Sequence, residues 1–392
     1  MGRFRDALAA PGLGAIGEIK RRSPSAGELR PDADPAAIAA AYARAGAAAV
    51  SVLVDERFGG TWDDLRAARA ATDAPLLAKG FFSTREQLRT AREAGADAVL
   101  LLLRDLDDGR LAELLGAAGQ LGLDTLVEAH DAVELDRALA CDAPVVGVNA
   151  RDLATFRVDR SAQLRLVARA RGVSGSEPRA RVLVAESGIH SRAQGAAAEL
   201  AGADAVLVGS ALMRAPDPAA ELASLIARPL VKVCGLTRQE DVDAAVEAGA
   251  DLAGFVLAAE TPRRAPRVLD VPDTVLSVAV YVGETGENRA DLVQLHARED
   301  GHRSREAALL RDGEEVARVL DLPWQGADPK HHERAAAAVG RIVLAGRLGP
   351  DNVGEAVRRV RPWAVDASSR LEVEPGVKDH AKVRAYVEAA RC

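Results

Sequence analysis

The sequence predicts an α/β protein made of two tandem TIM (β/α)8 barrels, the second of them shortened or irregular. The 392 residues exceed what a single hydrophobic core usually supports, so two domains are expected. Aromatic residues make up only 3% of the chain and apolar residues 48%, so Ala, Leu and Val must build the core. A helix-to-strand phrase also recurs along the chain, which is typical of alternating helices and parallel strands.

The recurring phrase is an Ala-rich helical stretch that ends in Ala-Gly-Ala and runs directly into a Val/Leu-rich strand. It occurs around Gly46, Gly95, Gly202 and Gly249, each at the point where the residue after a helix takes a positive φ. The following strands are apolar on both faces, as in parallel sheets that are covered by helices. Four repeats at the same boundary therefore predict parallel sheets.

Strand candidates fall into two series. Eight precede residue 215: AIGEIK, AVSVLVD, PLLAKGF, AVLLLL, TLVEA, VVGVNA, RVLVAES and AVLVGS. Seven follow: LVKVCG, LAGFVLA, SVAVYVG, LVQLH, ARVLD, RIVLAG and WAVDAS. Two prolines open a last helix before the boundary and Pro229 precedes the second series, so we predict domains over residues 1–225 and 229–392.

Composition limits the possible partners and compartments. The net charge of -7 leaves no basic surface for nucleic acid or anionic lipid, so small substrates are expected rather than polymers. The three cysteines lie far apart without metal-ligand spacing, which favours a reducing cytoplasm. Charged residues interrupt the N-terminal apolar stretch, so neither a signal segment nor a membrane span is expected. Nucleotide fingerprints and metal-ligand clusters are missing from the sequence, so we predict no cofactor and no metal.

Charged and polar residues end several of the apolar strands, where a barrel of this kind carries its active site. Glu18 and Lys20 are two positions apart and project to the same side, and burying both beneath helices would be costly, so the barrel lumen is favoured. Four further strands end in polar residues: Lys79, Glu128, Asn149 and Glu186. A structural ion pair is an equal alternative for each residue alone. Their convergence on one mouth indicates acid/base chemistry.

The last two strands of the first series are followed by Gly and Ser. Backbone amides at Gly188, Gly209 and Ser210 are candidates for binding a phosphate before a helix. In barrels of this class phosphate usually binds after strands seven and eight. An ordinary turn is the alternative reading of either segment in isolation.

Together these motifs identify a family. EIKRRSPSAG, SVLVDERFGGTWDDL, LLAKGFF, LVEAHD, GVNARDLATF, VAESGIHS and VLVGSALM resemble indole-3-glycerol phosphate synthase over residues 13–215. The resemblance implies that the aryl ring attacks a ketone carbon and that CO2 and water are then lost. It implies that Lys79 is the general acid of ring closure, that Glu128 is the acid/base of dehydration and that Lys20 lies by the substrate carboxylate. The other implied site residues are Glu18, Phe81, Asn149, Arg151 and Glu186, with Ser23, Ser187, Gly188, Gly209 and Ser210 at the phosphate. Gly80 stands where the family usually has Asp, which removes a charge expected to help hold Lys79.

The second half resembles a different family. KVCGLTRQEDVDAAVEAGAD, GFVLAAETPR, VQLH, LAGRLGPDNV and RPWAVDASSRLEVEPGVKDHAKV are similar to phosphoribosylanthranilate isomerase. The resemblance implies an Amadori rearrangement with Cys234 as general base and Asp321 as general acid. Arg263 would orient the substrate and Asp366 would support the site. Phosphate would bind near Gly346, Ser368 and Ser369.

This second resemblance has departures. Arg347 and Arg370 replace glycines at the expected phosphate site, where a Cβ resists positive φ, although their charge is an alternative way to hold a phosphate. The stretch between His296 and Asp321 is too short for the usual two helices and a strand. The isomerase half is therefore either active or a weak remnant.

The leading hypothesis is a bifunctional, monomeric enzyme of tryptophan biosynthesis that takes small phosphorylated anthranilate–sugar substrates. The alternatives are an active synthase with a weak isomerase-like domain, a non-catalytic phosphate-metabolite scaffold, and another phosphosugar barrel chemistry. The histidines at strand ends, His130, His190 and His296, are predicted to have loop or capping roles. His331 and His332 are predicted to be solvated on a charged helix.

Overall fold

Eight strands in the first 210 residues form a closed parallel barrel. The computed structural model describes residues 2–24, 27–141, 143–152, 155–173, 181–259, 261–299, 302–322 and 328–392. The chain separates into two units, residues 1–190 with 195–226 and residues 191–194 with 227–392. The strands of the first barrel are β1 Gly14–Ile19, β2 Ala49–Leu53, β3 Leu76–Lys79, β4 Ala98–Leu102, β5 Asp124–Ala129, β6 Val145–Asn149, β7 Val182–Glu186 and β8 Ala205–Val208.

The ring closes because β1 pairs with both β2 and β8. Ile16 on β1 is opposite Ala49 on β2 and Leu207 on β8, and both pairings are parallel. All eight strands lie at the segments expected from their apolar runs, and their residues are largely buried. The predicted parallel barrel of the N-terminal half is therefore confirmed.

The predicted helix-to-strand links have the expected geometry. Gly46, Gly95, Gly202 and Gly249 all have positive φ, between 87° and 104°. This conformation ends a helix by letting the next amides reach back to its last carbonyls. At Gly95 an added Cβ would also lie 2.5 Å from Cγ of Arg69, so the link leaves no room for a side chain.

Several helices of the first unit begin at polar caps. Thr61 and Thr84 form capping boxes with Asp64 and Gln87, which satisfies amides that the first turn of a helix leaves unpaired. The helices are α1 Arg3–Leu8, α2 Pro35–Arg44, α3 Trp62–Ala71, α4 Arg85–Glu93, α5 Asp108–Gln120, α6 Ala132–Ala140, α7 Arg160–Val173, α8 Arg192–Leu200, α9 Ser210–Arg214 and α10 Pro218–Ile226.

Two layers of apolar side chains surround the strands. One layer lies between strands and helices and includes Val50, Val99 and Val146. The other fills the lumen and includes one or more residues from every strand, together with Phe4 and Leu8 of α1. Side chains two positions apart on a strand point to the same side of the sheet. A residue two positions after a lumen residue therefore also points into the barrel.

The second unit also contains a closed eight-stranded barrel, but it is not a regular (β/α)8 barrel. Its strands are β9 Leu230–Cys234, β10 Leu252–Val256, β11 Leu276–Val282, β12 Leu292–Glu299, β13 His302–Arg311, β14 Glu314–Leu320, β15 Ile342–Leu344 and β16 Ala364–Ala367. Strand β13 is antiparallel to both neighbours, whereas the other pairings are parallel. The predicted irregularity is thus confirmed, and its form is a meander between His296 and Asp321.

The meander follows from a turn signal that the search for helix–strand units did not use. Asp312 and Gly313 connect β13 to β14 with φ values of 50° and 86°. Two left-handed residues in Asp-Gly form the tight hairpin turn that matches strand twist. The remaining helices are α11 Gln239–Glu247, α12 His331–Ala337, α13 Val353–Val360 and α14 His380–Arg391. Within the described residues, none of the helices is both long and apolar enough to cross a membrane.

Candidate active sites

The first candidate site is at the carboxyl ends of the first barrel's strands. Its charged residues each follow a buried lumen residue by two positions, as Glu18 follows Ile16, Lys79 follows Leu77 and Glu128 follows Leu126. Strand alternation therefore directs these side chains into the lumen, above the apolar layer. The same relation holds for Glu186 after Val184.

Lys79 is the centre of the charged cluster. Its Nζ lies 2.7 Å from Glu186 Oε2 and 3.3 Å from Glu18 Oε2. A third carboxylate, Glu128 Oε2, is 3.8 Å away. Lys20 Nζ is 2.5 Å from the other oxygen of Glu18. The structure thus brings together the two lysines and three glutamates that the sequence singled out.

Glu128 has neutral and basic contacts on its other side. The Nδ2 of Asn149 donates a hydrogen bond of 2.9 Å to Glu128 Oε1. His130 Nε2 lies 3.0 Å from the same oxygen. His130 is therefore a site residue that the sequence interpretation, which gave it a loop or capping role, did not recognise. Its position two residues beyond Glu128 was the available signal.

The charged residues of this cluster shift one another's pKa values away from their usual ranges. Burial alone would lower the pKa of Lys79, but Glu186, Glu18 and Glu128 outweigh it, and the pKa is raised. Burial opposes ionisation of Glu18, yet Lys20 and Lys79 bring its pKa below the usual range.

The two remaining glutamates are shifted in opposite directions. Burial favours the neutral form of both, but Lys79, His130 and Asn149 lower the pKa of Glu128. Burial followed by repulsion from Glu128 raises the pKa of Glu186. Opposite shifts in neighbouring carboxyls are typical of sites that contain both an acid and a base. Among the described residues, Glu128 Oε2, Glu186 Oε1 and His130 Nε2 are buried polar atoms without a hydrogen-bond partner.

The substitution at position 80 does not leave Lys79 without a partner. Gly80 lines a cavity of about 290 Å³ with Val54, Trp62 and Phe82, whereas Lys79 is held by the three glutamates. The charge that Asp would supply is therefore not needed to hold the lysine in place.

Aromatic side chains lie beside this cavity. Phe81 is 36% exposed and stacks on Phe58 with ring centroids 6.5 Å apart. The guanidinium of Arg57 lies 3.7 Å from the centroid of the Phe81 ring. Phe81 is therefore a partly exposed aromatic side chain that follows strand β3 by two residues.

The predicted phosphate segments follow β7 and β8. Ser187 and Gly188 have positive φ values of 67° and 71°. Gly209 lies so close to the charged cluster that an added Cβ would be 2.2 Å from Glu18 Oε1 and 2.9 Å from Lys20 Nζ. Ser210 begins α9. Gly209, which directly precedes α9, is therefore adjacent to the cation of Lys20.

Two other predicted residues lie farther along the rim. Ser23 is buried in a short hairpin that pairs Arg22–Ser23 with Gly27–Glu28. The amide of Arg151 donates to Asn149 Oδ1 at 2.9 Å, and burial lowers the pKa of its guanidinium.

The second candidate site surrounds Cys234 at the end of β9. Cys234 is buried, and burial raises the pKa of its thiol, whereas the expected general base needs a lowered one. Lys232, two positions earlier, donates to Asp366 Oδ2 at 2.8 Å and to Gln294 Oε1 at 2.6 Å. Gln294 continues the chain of contacts to His296 Nε2 at 2.9 Å. Burial lowers the pKa of His296, which keeps its imidazole neutral.

Sequence reasoning missed Lys232 and Gln294, and it assigned His296 to a loop or cap. The alternation that identified Glu18 and Lys20 also relates Lys232 to Cys234 and would have found it. His331 was expected to be solvated, but it is buried and its Nε2 is 2.9 Å from the carbonyl oxygen of Ala345.

Asp321 is engaged by residues of the meander. Its Oδ2 forms an ion pair with Arg303 Nη1 at 2.5 Å, and its Oδ1 accepts a 2.7 Å hydrogen bond from the amide of Leu322. Arg303 is near the start of β13. An antiparallel strand begins where its parallel neighbours end, so the meander delivers this arginine to the mouth.

The predicted substrate-binding residues of the second barrel are also paired within the chain. Arg263 forms a bidentate ion pair with Glu372, whose oxygens are 2.8–3.1 Å away. Buried Lys378 contacts the same carboxylate at 2.9 Å. The sequence interpretation did not include Glu372 or Lys378.

The expected phosphate positions have a mixed geometry. Gly346 has a φ of 101°, and Arg347 adopts a positive φ of 55° in spite of its Cβ. Arg370, which follows Ser368 and Ser369, forms an ion pair of 2.9 Å with Asp351. One of the two arginines is thus already neutralised within the chain.

Both halves of the chain form closed eight-stranded barrels with titratable residues at the ends of their strands. The indole-3-glycerol phosphate synthase family model matches residues 2–225, and the N-(5'-phosphoribosyl)anthranilate isomerase model matches residues 325–389. The chain belongs to the indole-3-glycerol phosphate synthase family, with an isomerase domain at its C-terminal end. It is accordingly an enzyme with domains for two steps of tryptophan biosynthesis.

Two relatives, both indole-3-glycerol phosphate synthases, agree with the family assignment. Indole-3-glycerol phosphate synthase 2 of Streptomyces coelicolor is 48% identical over 224 residues, which cover 57% of this chain and 84% of that protein. The synthase of Mycobacterium ulcerans is 46% identical over 221 residues, 56% of this chain and 79% of that protein. The crystal structure of TrpF from Jonesia denitrificans matches 42% of this chain and 97% of its own, with 29% identity and a TM-score of 0.33.

Proposed function

We propose that the first barrel converts 1-(2-carboxyphenylamino)-1-deoxyribulose 5-phosphate into indole-3-glycerol phosphate, with Lys79 as general acid and Glu128 as the acid/base of dehydration. The observation that carries this proposal is a buried lysine surrounded by three carboxylates within 3.8 Å, with their pKa values shifted apart. A lysine held in its charged form can protonate a carbonyl oxygen as the ring carbon attacks the carbonyl carbon.

The remaining steps use the same cluster. Attack of the aryl carbon on the ketone carbon forms a carbon–carbon bond, and the ketone oxygen takes the Lys79 proton to become a hydroxyl. Loss of CO2 returns the bonding electrons to the ring. Glu128 then removes a proton from the carbon next to the one that carries the hydroxyl. The hydroxyl takes a proton from Lys79, once Lys79 has been recharged, and leaves as water, so that a carbon–carbon double bond forms. Glu186, whose raised pKa favours the protonated form, lies 2.7 Å from Lys79 and is placed to return a proton to it.

The rest of the mouth would bind the substrate's ends. Lys20 would contact the carboxylate, and Phe81 would contact the aryl ring. The amides at Ser187, Gly188, Gly209 and Ser210, together with Ser23, would bind the phosphate, and Arg151 would line the rim. The closeness of Gly209 to the cation of Lys20 supports this arrangement, because the ligand would carry negative charge at both ends.

The test is a steady-state assay of the intact chain with Lys79→Ala and Glu128→Gln. Each variant should lose synthase turnover while the isomerase reaction persists. A scaffold that only binds phosphate metabolites predicts unchanged catalysis and altered ligand affinity, so synthase turnover at the level of the unmodified chain would contradict the proposal.

For the second barrel we propose isomerisation of N-(5-phosphoribosyl)anthranilate, with Cys234 as general base and Asp321 as general acid. Asp366 would support the site through Lys232, Arg263 would orient the substrate, and Gly346, Ser368 and Ser369 would contact the phosphate. The raised pKa of Cys234 and the Arg303–Asp321 ion pair favour the alternative of a slow isomerase. Isomerase assays of Cys234→Ser and Asp321→Asn in the full chain decide between an active and a slow isomerase. If the site is active as proposed, each substitution should cause a large loss of isomerase turnover.

The finer assignments complete the proposal. Residues 1–225 would form the synthase and residues 229–392 the isomerase of a cytoplasmic monomer. The substrates would be small phosphorylated anthranilate sugars, with neither nucleic acid nor membrane as a partner. Light scattering on the purified chain tests the monomer, and a mass of twice 41.1 kDa would contradict it.

A further inference from the structure

His130 links Glu128 to the following helix by contacts on both sides of its ring. It follows β5 directly and its side chain is 11% exposed. Nε2 lies 3.0 Å from Glu128 Oε1, and Nδ1 lies 3.0 Å from Glu134 Oε2. The ring therefore joins a lumen carboxylate to a carboxylate outside the lumen.

Glu134 is itself fixed by the beginning of α6. Its amide donates to Asp131 Oδ1 at 2.8 Å, which caps the helix. Its Oε2 accepts a second hydrogen bond, 2.8 Å long, from the backbone amide of His130. A side chain held by such a reciprocal cap has little freedom to rotate. The imidazole between Glu134 and Glu128 is therefore held in one orientation.

The two carboxylates keep the imidazole charged. Burial lowers the pKa of His130, but the close contacts with the carboxylates of Glu128 and Glu134, at 3.0 Å each, outweigh it and raise the pKa to about 10. The groups that face Glu128 from other strands are Lys79 on β3, neutral Asn149 on β6 and Glu186 on β7. Among them only Lys79 is positive, and it is 3.8 Å away and shared with Glu186 and Glu18.

We infer that His130, held by Glu134, is a positioning residue that orients the Glu128 carboxylate and keeps it ionised for proton removal. The inference rests on the proposed role of Glu128 in dehydration. Without His130, Glu128 would share Lys79 with Glu18 and Glu186, and Asn149 contributes a hydrogen bond but no charge. The imidazolium supplies the cation closest to Glu128.

The sign of the pH dependence follows from this arrangement. Glu128 acts as a base only when it is ionised, so the acidic limb of the rate profile follows its pKa. A neighbouring cation lowers that pKa, and removal of the cation raises it. Variants without the charge should lose activity at a higher pH than the unmodified chain.

The experiment compares four variants in the full chain: His130→Ala, His130→Gln, Glu134→Gln and Glu128→Gln. His130→Ala should lower synthase kcat by about 10- to 100-fold with little change in KM, and it should move the acidic limb upward. His130→Gln keeps a hydrogen-bond donor without the charge, so it should recover part of kcat but retain the shifted limb. Glu134→Gln should shift the limb in the same direction by a smaller amount. This last variant tests the inference without depending on the folding of His130→Ala.

The Glu128→Gln background separates the possible outcomes. There, His130→Ala should cause no further loss, because the group it positions is gone. An equal loss in both backgrounds, or an unmoved acidic limb, would overturn the positioning role. If Glu128→Gln itself retained full turnover, the proposed function would fail first, independently of His130.

Discussion

The two barrels close the same ring of eight strands by different routes, and their sites differ accordingly. In the first barrel every strand is parallel, so every strand ends at the mouth, and the charged residues arrive from separate strands and neutralise one another around Lys79. In the second barrel β13 is antiparallel to its neighbours, so its first residues rather than its last lie at the mouth. One of these first residues, Arg303, forms an ion pair with Asp321. The comparison teaches that strand direction determines which residues a barrel mouth receives, even when strand number is unchanged.

The largest expected effect tests the independence of the two sites. Lys79→Met removes the proposed proton donor and leaves three carboxylates without their shared cation, so synthase kcat should fall by roughly 10³-fold or more. Isomerase turnover should stay within about twofold, because the two sites are built from separate barrels. Parallel steady-state assays of both reactions measure this. A comparable loss of both activities would contradict the independence of the two sites. Thermal unfolding of the variant is the control, because it shows whether the loss comes from lower stability.

Lys232→Met should have the next largest effect, on stability. The lysine is buried against Asp366 and Gln294, and its removal leaves a buried carboxylate without a counter-charge. The second domain should lose about 3 to 5 kcal/mol of unfolding free energy. Urea unfolding can be followed by tryptophan fluorescence in a Trp62→Phe background, where the remaining tryptophans, Trp324 and Trp363, belong to the second domain.

The matched control for Lys232 is the double variant that also carries Asp366→Asn. Removing both charges should recover part of the lost unfolding free energy, because neither charge then remains buried alone. No recovery would show that Lys232 contributes through packing rather than through its charge.

Arg303→Met tests the meander directly. It should release Asp321 Oδ2 and raise isomerase kcat by up to about 10-fold, if the ion pair is what holds the proposed acid back. Arg303→Lys serves as the control, because it keeps the positive charge but not the planar guanidinium with its paired donors. A fall in kcat would instead make Arg303 part of the isomerase machinery.

Gly80→Asp should have the smallest effect. Lys79 already contacts three carboxylates, so a fourth should change synthase kcat by less than about threefold. An added Cβ would be 3.1 Å from Cγ2 of Val54, which requires only a small shift. A large gain in kcat would mean that the cluster around Lys79 is incomplete without a carboxylate at position 80.

The sequence contained enough to predict the first site's lumen residues, because an alternation of two assigns Glu18, Lys79 and Glu128 to one side of their strands. It did not reveal the ring contacts of His130, since these depend on how the loop before α6 folds back. The direction of β13 was also missed. The Asp312-Gly313 pair is typical of a hairpin turn, but helix–strand repeats were expected in this stretch and the hairpin was not predicted.

The hairpin of β13 and β14 has a consequence for how the second ring assembles. Its strands are joined by two residues. Parallel neighbours elsewhere in the ring are joined by a much longer crossover connection, which must be ordered before the two strands can pair. Short-range pairings of this kind form within microseconds and cost little loop entropy. We therefore expect this hairpin to form before the parallel strand pairings of the C-terminal domain.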